Sequence, residues 1–208
     1  VKEKSEVISL NPTFAMLDIY VKIFNAKPNY VKVKLKNNKF SFNIQNLLLK
    51  ITNKASLIYL PNPNSPDGSI VSLENIERIV SKAKKFKIPV LIDEAYIEFS
   101  KINHIGLIKK YNNLILCKTF SKMFGMAGLR IGYLVSNSNN IKILSKTKPM
   151  YEVNSLALKY LIFQLKNKKL YENYLNEVIK GKNFLIDILE KKNLTYINSH
   201  TNFIYIKF

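Results

Sequence analysis

Tryptophan is absent from these 208 residues, cysteine occurs once, and histidine and arginine occur twice each. Each scarcity removes a class of protein. Cys117 has no partner within the chain, so an internal disulfide framework is excluded and a reducing, cytoplasmic compartment fits. His104 and His200 alone make a poor zinc site, and no metal is expected. No apolar run reaches the roughly 18 residues that a membrane-spanning helix needs, and VKEKSE at the start does not read as a signal peptide. The chain opens on Val1 and stops inside an alternating NFIYIKF pattern, so both ends are expected to be cut.

Positive charge is plentiful: the formal net charge is +19. Such an excess invites a nucleic-acid reading. The composition argues against it, because 31 of the 33 basic residues are lysine, accompanied by abundant Asn, Ile, Tyr and Phe. That mixture reads as A+T-rich coding drift, and arginine, the usual reader of bases, is nearly missing. Runs such as SKAKKFK and QLKNKKL fall on helix-like segments where lysines occupy a solvated face. At 47% hydrophobic and 23% charged, the chain has an ordinary globular composition, with length for one sizeable domain and part of a second.

The pattern along the chain alternates. SEVISL, YVKVKL, SLIYL, IPVLID and NLILC read as strands, with helices expected over 13–25, 43–54 and a segment capped by Ser72. In that last helix Ile76, Ile79, Val80 and Ala83 recur at helical spacing and give one apolar face. Unbroken apolar strands between amphipathic helices predict a mostly parallel sheet covered on both faces, a three-layer α/β/α arrangement. Beyond about residue 145 the texture changes to a long helical stretch over 155–192 followed by two strand candidates, LTYIN and NFIYIKF. The expected division is a large domain over 1–148 and an incomplete small α+β domain over 149–208.

Ligands of open α/β sheets gather beyond the carboxyl ends of the strands. PNPNSPDG follows SLIYL, Asp93 with EAY follows IPVLI, and KTFSK follows NLILC, so Asn64, Ser65, Asp93, Tyr96, Thr119, Ser121 and Lys122 are expected along one edge. Glu94 and Glu98 read as ordinary loop or surface acids. Lys122 stands among Phe120, Phe124 and Met126 rather than in a polar run. Desolvated there, it would keep a neutral fraction able to attack a carbonyl. The plainer alternative is a lysine reaching out of an apolar patch. Arg130 offers a planar fork that matches two phosphate oxygens, its alternative being a salt bridge. Gly125, Gly128 and Gly132 do not make a GxGxxG turn, which argues against a dinucleotide site. A lysine, a strand-end carboxylate, hydroxyls three and one residues before the lysine and an arginine eight after it together match the needs of pyridoxal phosphate.

On NPTFAMLDIY, LPNPNSPDG, VLIDEAYIEF, KTFSKMFGMAGLRIGYLV and KPMYEVNSLA, in that order, the chain resembles the class I/II, fold-type I pyridoxal-phosphate aminotransferases, above all the histidinol-phosphate branch. The resemblance implies Lys122 as the Schiff-base lysine, Asp93 on the pyridine nitrogen and Tyr96 on the phenolate oxygen. It also implies Thr119, Ser121 and Arg130 on the phosphate, Phe14 stacked on the ring, and Tyr151 and Asn154 near the substrate. The family turn usually reads NPxNPTG; here its second Asn is replaced by Ser65 and its Thr by Asp67, so either Asn64 or Ser65 is the expected contact. A glycine-rich loop before Val1 and a carboxylate-gripping arginine after Phe208 are further expectations of the resemblance, as is a homodimer. The activity implied is transfer of an amino group between a histidinol-phosphate-like amine and a 2-oxo acid. A phosphoamino-acid decarboxylase of the threonine-phosphate type, a non-catalytic remnant and a basic nucleic-acid binder are the competing readings.

Overall fold

The structure is a computed structural model that describes residue 1 and residues 3–207. Strands β1 (Glu6–Asn11) and β2 (Lys27–Lys32) flank helix α1 (Met16–Ile23), and a small hairpin of β3 (Lys34–Lys36) and β4 (Lys39–Ser41) leads to α2 (Ile44–Lys50). Then come β5 (Ala55–Pro61), α3 (Leu73–Lys85), β6 (Val90–Asp93), β7 (Leu114–Thr119) and β8 (Gly132–Ser136). Helices α4 (Ser138–Ser145), α5 (Ser155–Lys166) and α6 (Lys168–Lys191) and the short pair β9 (Tyr196–Ile197) and β10 (Tyr205–Ile206) complete the described chain. Six strands form one sheet in the order β2-β1-β5-β6-β7-β8, parallel throughout except for β8.

Strand alternation sorts the side chains between two layers. Ile8, Leu10, Ile58, Leu60, Val90, Ile92, Leu114 and Leu116 point to one face and pack with Leu47 of α2 and Ile76, Ile79, Val80 and Ala83 of α3. Each such fully buried side chain contributes about 1.5–3 kcal/mol. The other face sets Val7 and Tyr59, with Leu57 and Leu91, against Leu17 and Val21 of α1. Helix α3 starts where Ser72 Oγ accepts the Asn75 amide at 3.3 Å, and it carries Glu74 in its first turn and Lys82, Lys84 and Lys85 in its last. Those charges oppose the helix dipole at each end. The three-layer α/β/α expectation therefore holds.

Four details differ from the sequence pattern. YVKVKL is divided: its first residues lie in β2, beside β1, while Lys34–Lys36 turns away into the hairpin. β8 and α4 carry no distinct periodic signal, since β8 is half exposed. The 155–192 helix is two helices, broken at Asn167, whose backbone leaves the helical region at φ −115° and ψ 64° and whose Nδ2 donates to the Phe163 carbonyl at 2.7 Å beside its own amide. NFIYIKF contributes only Tyr205–Ile206 to a strand, and its last residue, Phe208, lies outside the described residues.

Candidate active site

Register brings the expected residues to one edge. Pro61 at the end of β5 lies opposite Asp93, and Asp93 opposite Cys117 in β7. β1 ends at the same edge and delivers Phe14 in the turn that follows. Because β8 runs the other way, its first residue, Gly132, pairs with Thr119, the last residue of β7. Thus the amino end of β8 places Arg130 beside the 119–122 loop, and the Phe120 amide donates to the Ile131 carbonyl at 3.1 Å. The close approach requires glycine: a Cβ on Gly132 would stand 2.6 Å from the Lys118 carbonyl oxygen.

Asp93 shares the α1 face with Tyr59 two positions before Pro61, and Tyr59 Oη donates to its Oδ2 at 2.7 Å. The Ala95 amide donates to Oδ1 at 3.1 Å. Burial raises the Asp93 pKa above the ordinary aspartate range, outweighing the Tyr59 and Ala95 hydrogen bonds that lower it; Glu94 raises it further and Lys122 lowers it. Asp93 and Phe14 both line an otherwise apolar bowl of about 310 Å³, with Leu17, Val21, Leu57 and Leu91 on its walls. Across the strand, burial next to Asp93 pushes the Cys117 thiol up to about 11, so it is no thiolate nucleophile at neutral pH.

Lys122 Nζ lies 5.1 Å from the centroid of the Tyr96 ring, whose edge meets Phe203 at a 5.5 Å centroid distance. Below it Phe120 and Met126 are buried with Ile131, Ala157 and Leu161, so α5 braces the loop. Among the described residues Lys122 has no carboxylate within salt-bridge reach; Asp93 acts on it from a longer range. Thr119 Oγ1 accepts the Ser121 amide at 3.1 Å and tightens the turn before the lysine.

Arg130 adopts the left-handed backbone region, φ 53°, unusual for a residue with a side chain. Its guanidinium is exposed and makes one hydrogen bond, Nη1 to the Ala127 carbonyl at 2.9 Å, leaving most of the fork unengaged. No carboxylate pairs with it among the described residues. Arg130, Tyr151 and Asn154 line one shallow pocket. Tyr151 is exposed, whereas Asn154 Oδ1 is committed to capping α5 through the Leu156 and Ala157 amides.

The PNPNSPDG turn explains its own departures. Asn64 and Asp67 are both buried; Asn64 Nδ2 donates to Asp67 Oδ2 at 2.6 Å and to the Pro12 carbonyl at 3.0 Å, and Asp67 Oδ1 accepts the Ser69 amide at 2.7 Å. Both amide protons of Asn64 are therefore engaged, one inside the turn and one on the segment after β1. The Ser65 hydroxyl has no partner among the described residues. The far end of the chain closes on this turn, since the His200 amide donates to the Gly68 carbonyl at 3.0 Å.

Glu94 is not a surface acid. It is buried, with Oε1 2.6 Å from His104 Nδ1 and Oε2 2.7 Å from Lys118 Nζ, while Glu98 stands 3.9 Å from the same ammonium. Lys118 approaches Oε2 off the hydrogen-bonding direction, so that contact is foremost an ion pair. The Val71 amide fixes Asn62 Oδ1, which turns Asn62 Nδ2 toward Val71 O and toward His104 Nε2 at 3.1 Å. Nε2 then accepts, and Nδ1 carries the proton aimed at Glu94. Burial works to raise the Glu94 pKa, but the hydrogen bond from His104 and the charge of Lys118 outweigh it and hold the carboxyl below the ordinary range. Stability from this pair is therefore complete above the ordinary glutamate value and is lost as pH falls through the lower folded value. Glu94→Ala strips buried His104 and half-buried Lys118 of their partner and is expected to destabilise the protein by about 3–5 kcal/mol, read by urea unfolding at pH 7. The deficit should narrow in acid.

The description "Aminotransferase class I and II" matches residues 1–208. A histidinol-phosphate aminotransferase of Caldanaerobacter subterraneus subsp. tengcongensis is 38% identical over 204 residues, 97% of this chain and 56% of that protein. One from Methanosphaera stadtmanae is 34% identical over 205 residues, 98% of this chain and 54% of that protein. The chain thus spans about half the length of the curated relatives it matches. In fold it is similar to the histidinol-phosphate aminotransferase of Clostridium acetobutylicum, with a TM-score of 0.86, 24% identity, and coverage of 98% of this chain and 61% of that one. It is similar also to that of Sinorhizobium meliloti in complex with pyridoxal-5′-phosphate, with a TM-score of 0.84, 23% identity, and coverage of 98% and 55%.

Proposed function

Because the chain belongs to the aminotransferase class I and II family, we propose that it carries the cofactor-binding core of a pyridoxal-phosphate aminotransferase. Its reaction moves an amino group between a histidinol-phosphate-like amine and a 2-oxo acid. The observation that carries this reading is the placement of Lys122. Its ammonium lies over the Tyr96 ring, without a carboxylate in salt-bridge reach among the described residues, at the edge where Asp93 ends its strand.

The donor set suits the cofactor. Arg130 keeps most of its fork unengaged for a phosphate and follows the loop that carries the Thr119 and Ser121 hydroxyls; Asp93 is a half-buried carboxylate suited to a ring nitrogen; Phe14 lines the same bowl as Asp93. Pyridoxal phosphate, when bound, supplies an aldehyde that condenses with amines and a ring that accepts the electron pair left on deprotonation of a substrate. Lys122 would hold the aldehyde carbon and, as a free amine, would carry the proton between substrate Cα and the cofactor. Asp93 would keep a proton on the ring nitrogen, and Tyr96 would donate to the phenolate oxygen. With the Asn64 amide occupied by Pro12 and Asp67, Ser65 is the better of the two neighbours for a further polar contact. Tyr151, exposed in the pocket with Arg130, is the better substrate contact, since Asn154 caps α5.

The division into a large domain over 1–148 and a small one over 149–208 is part of this proposal, supported by the change from sheet to paired helices after α4. A cytoplasmic homodimer belongs to it as well; Leu156, Phe163 and Phe184 leave broad apolar helix surface exposed. No described helix is long and apolar enough to cross a membrane.

The test is direct. Borohydride reduction of the protein incubated with pyridoxal phosphate should attach the cofactor to Lys122 alone, as read by peptide mass; unmodified Lys122 would end the enzyme reading. Release of CO₂ from a phosphoamino acid without amino transfer to 2-oxoglutarate would favour the decarboxylase instead. For the phosphate end, Arg130→Lys is expected to weaken cofactor binding roughly tenfold, the size of one charge-assisted hydrogen bond. The control is Arg78→Lys. Arg78, the only other arginine, is exposed and bonds Asn75 on its own helix, so cofactor affinity should not change there.

A further inference from the structure

We infer that Tyr59 is a positioning residue for the same reaction: its hydroxyl grips the Asp93 carboxylate from the neighbouring strand and holds it, ionised, toward the cofactor's ring nitrogen. This inference rests on the pyridoxal-phosphate reading above. No motif pointed to Tyr59, which lies inside the apolar strand β5 and reads there as core.

Packing does not account for its hydroxyl. Tyr59 is buried with Val7, Leu17 and Val21, an environment that phenylalanine would fill equally well. Its oxygen has one hydrogen-bond partner among the described residues, Asp93 Oδ2 at 2.7 Å. Opposite, the Ala95 amide holds Oδ1 at 3.1 Å. The carboxylate is thus fixed from two sides and cannot rotate about its terminal bond, yet each oxygen keeps a lone pair for a further donor. A ring N–H entering from the bowl would find that acceptor already aimed.

The electrostatic direction agrees. Phenol donation favours the carboxylate over the acid, while burial favours the acid, so Tyr59 opposes the environment it shares. The same proximity, with burial first, pushes the Tyr59 hydroxyl far above the ordinary tyrosine range and keeps it a donor. The other titratable groups about Asp93 are Glu94 on its own strand end, Cys117 on β7, Lys122 on the following loop and Tyr20 of α1 across the bowl. None of them hydrogen-bonds the carboxylate, so Tyr59 is the side chain able to set its orientation.

The test compares binding of pyridoxal phosphate with binding of its analogue that lacks the ring nitrogen, in the wild type, Tyr59→Phe, Asp93→Asn and the double variant. Tyr59→Phe is expected to weaken pyridoxal phosphate roughly tenfold, the size of one hydrogen bond to a charged group, and to leave the analogue unchanged. In the Asp93→Asn background the same substitution should have no effect on either ligand. Equal weakening of both ligands, or an unchanged loss without Asp93, would overturn the inference and leave Tyr59 a packing residue. An independent arm uses the cofactor-free protein, where infrared absorption of the protonated carboxyl reports the Asp93 midpoint. Tyr59→Phe should move that midpoint up, and an unmoved midpoint would count against the grip. Failure of the wild type to bind pyridoxal phosphate would remove the cofactor reading, and the infrared arm would still decide whether Tyr59 holds Asp93.

Discussion

Replacing Lys122 with alanine is expected to abolish amino transfer while leaving a folded protein. The stability side follows from what the lysine touches. Its ammonium makes a cation–π contact at 5.1 Å and no salt bridge among the described residues, and an interaction of that kind contributes about 0.5–1 kcal/mol when exposed. The surrounding brace of Phe120, Met126 and Leu161 does not depend on the ammonium. Thermal unfolding should therefore change little. Activity should fall by at least the roughly 100- to 10,000-fold that a positioned proton-transfer group contributes, because in the proposed function the same amine would both bind the aldehyde and move the substrate proton. Pyridoxal phosphate should still bind, more weakly, through Arg130 and Asp93, but borohydride should no longer fix it to the chain. Small primary amines added to the variant should restore part of the proton transfer. Retained turnover, or a reduced cofactor attached at another lysine, would remove Lys122 from its role.

What made Lys122 visible in the sequence was local. Phe120, Ser121, Lys122 and Arg130 lie within eleven positions, and the turn that joins them is closed by β8 folding back on β7, so proximity along the chain became proximity in space. The core strands were legible for a similar reason. Ile58, Leu60, Ile92 and Leu116 sit in unbroken apolar runs that only a doubly covered sheet accommodates, and the face of α3 repeats at helical spacing. Glu94 and Tyr59 were illegible because their roles come from partners on other strands. A glutamate is buried here only because His104 and Lys118 converge on it, and a tyrosine in an apolar strand gains a carboxylate partner only because register sets Asp93 next door. The break at Asn167 was hidden too, as one residue there leaves the helical region, at φ −115° and ψ 64°, inside an otherwise continuous helical pattern.

Asp93→Asn separates function from stability most sharply. Activity should drop about 100- to 1,000-fold, the range for removing one preorganised electrostatic partner, because an amide cannot hold a positive charge on the ring nitrogen. The cofactor-free protein should move in the opposite direction. Burial lifts the folded pKa of Asp93 above the ordinary aspartate value of 3.8, so the ionised side chain is less at ease in the fold than in the unfolded chain. Above the folded pKa that cost is fully present; as pH falls through the folded pKa toward the unfolded one, the group protonates and the cost disappears. Asparagine carries no such cost at any pH, and with Oδ1 accepting the Ala95 amide its Nδ2 can donate to the Tyr59 oxygen. The variant is thus expected to unfold at a higher temperature than the wild type at pH 7 and to lose that advantage near pH 4, both without cofactor. Bound pyridoxal phosphate should reverse the order at pH 7, since only the carboxylate gains from a cationic ring. An Asp93→Asn protein with near-normal turnover, or one less stable than the wild type at neutral pH without cofactor, would show that this carboxylate is a structural brace and not a group held against its own solvation for catalysis.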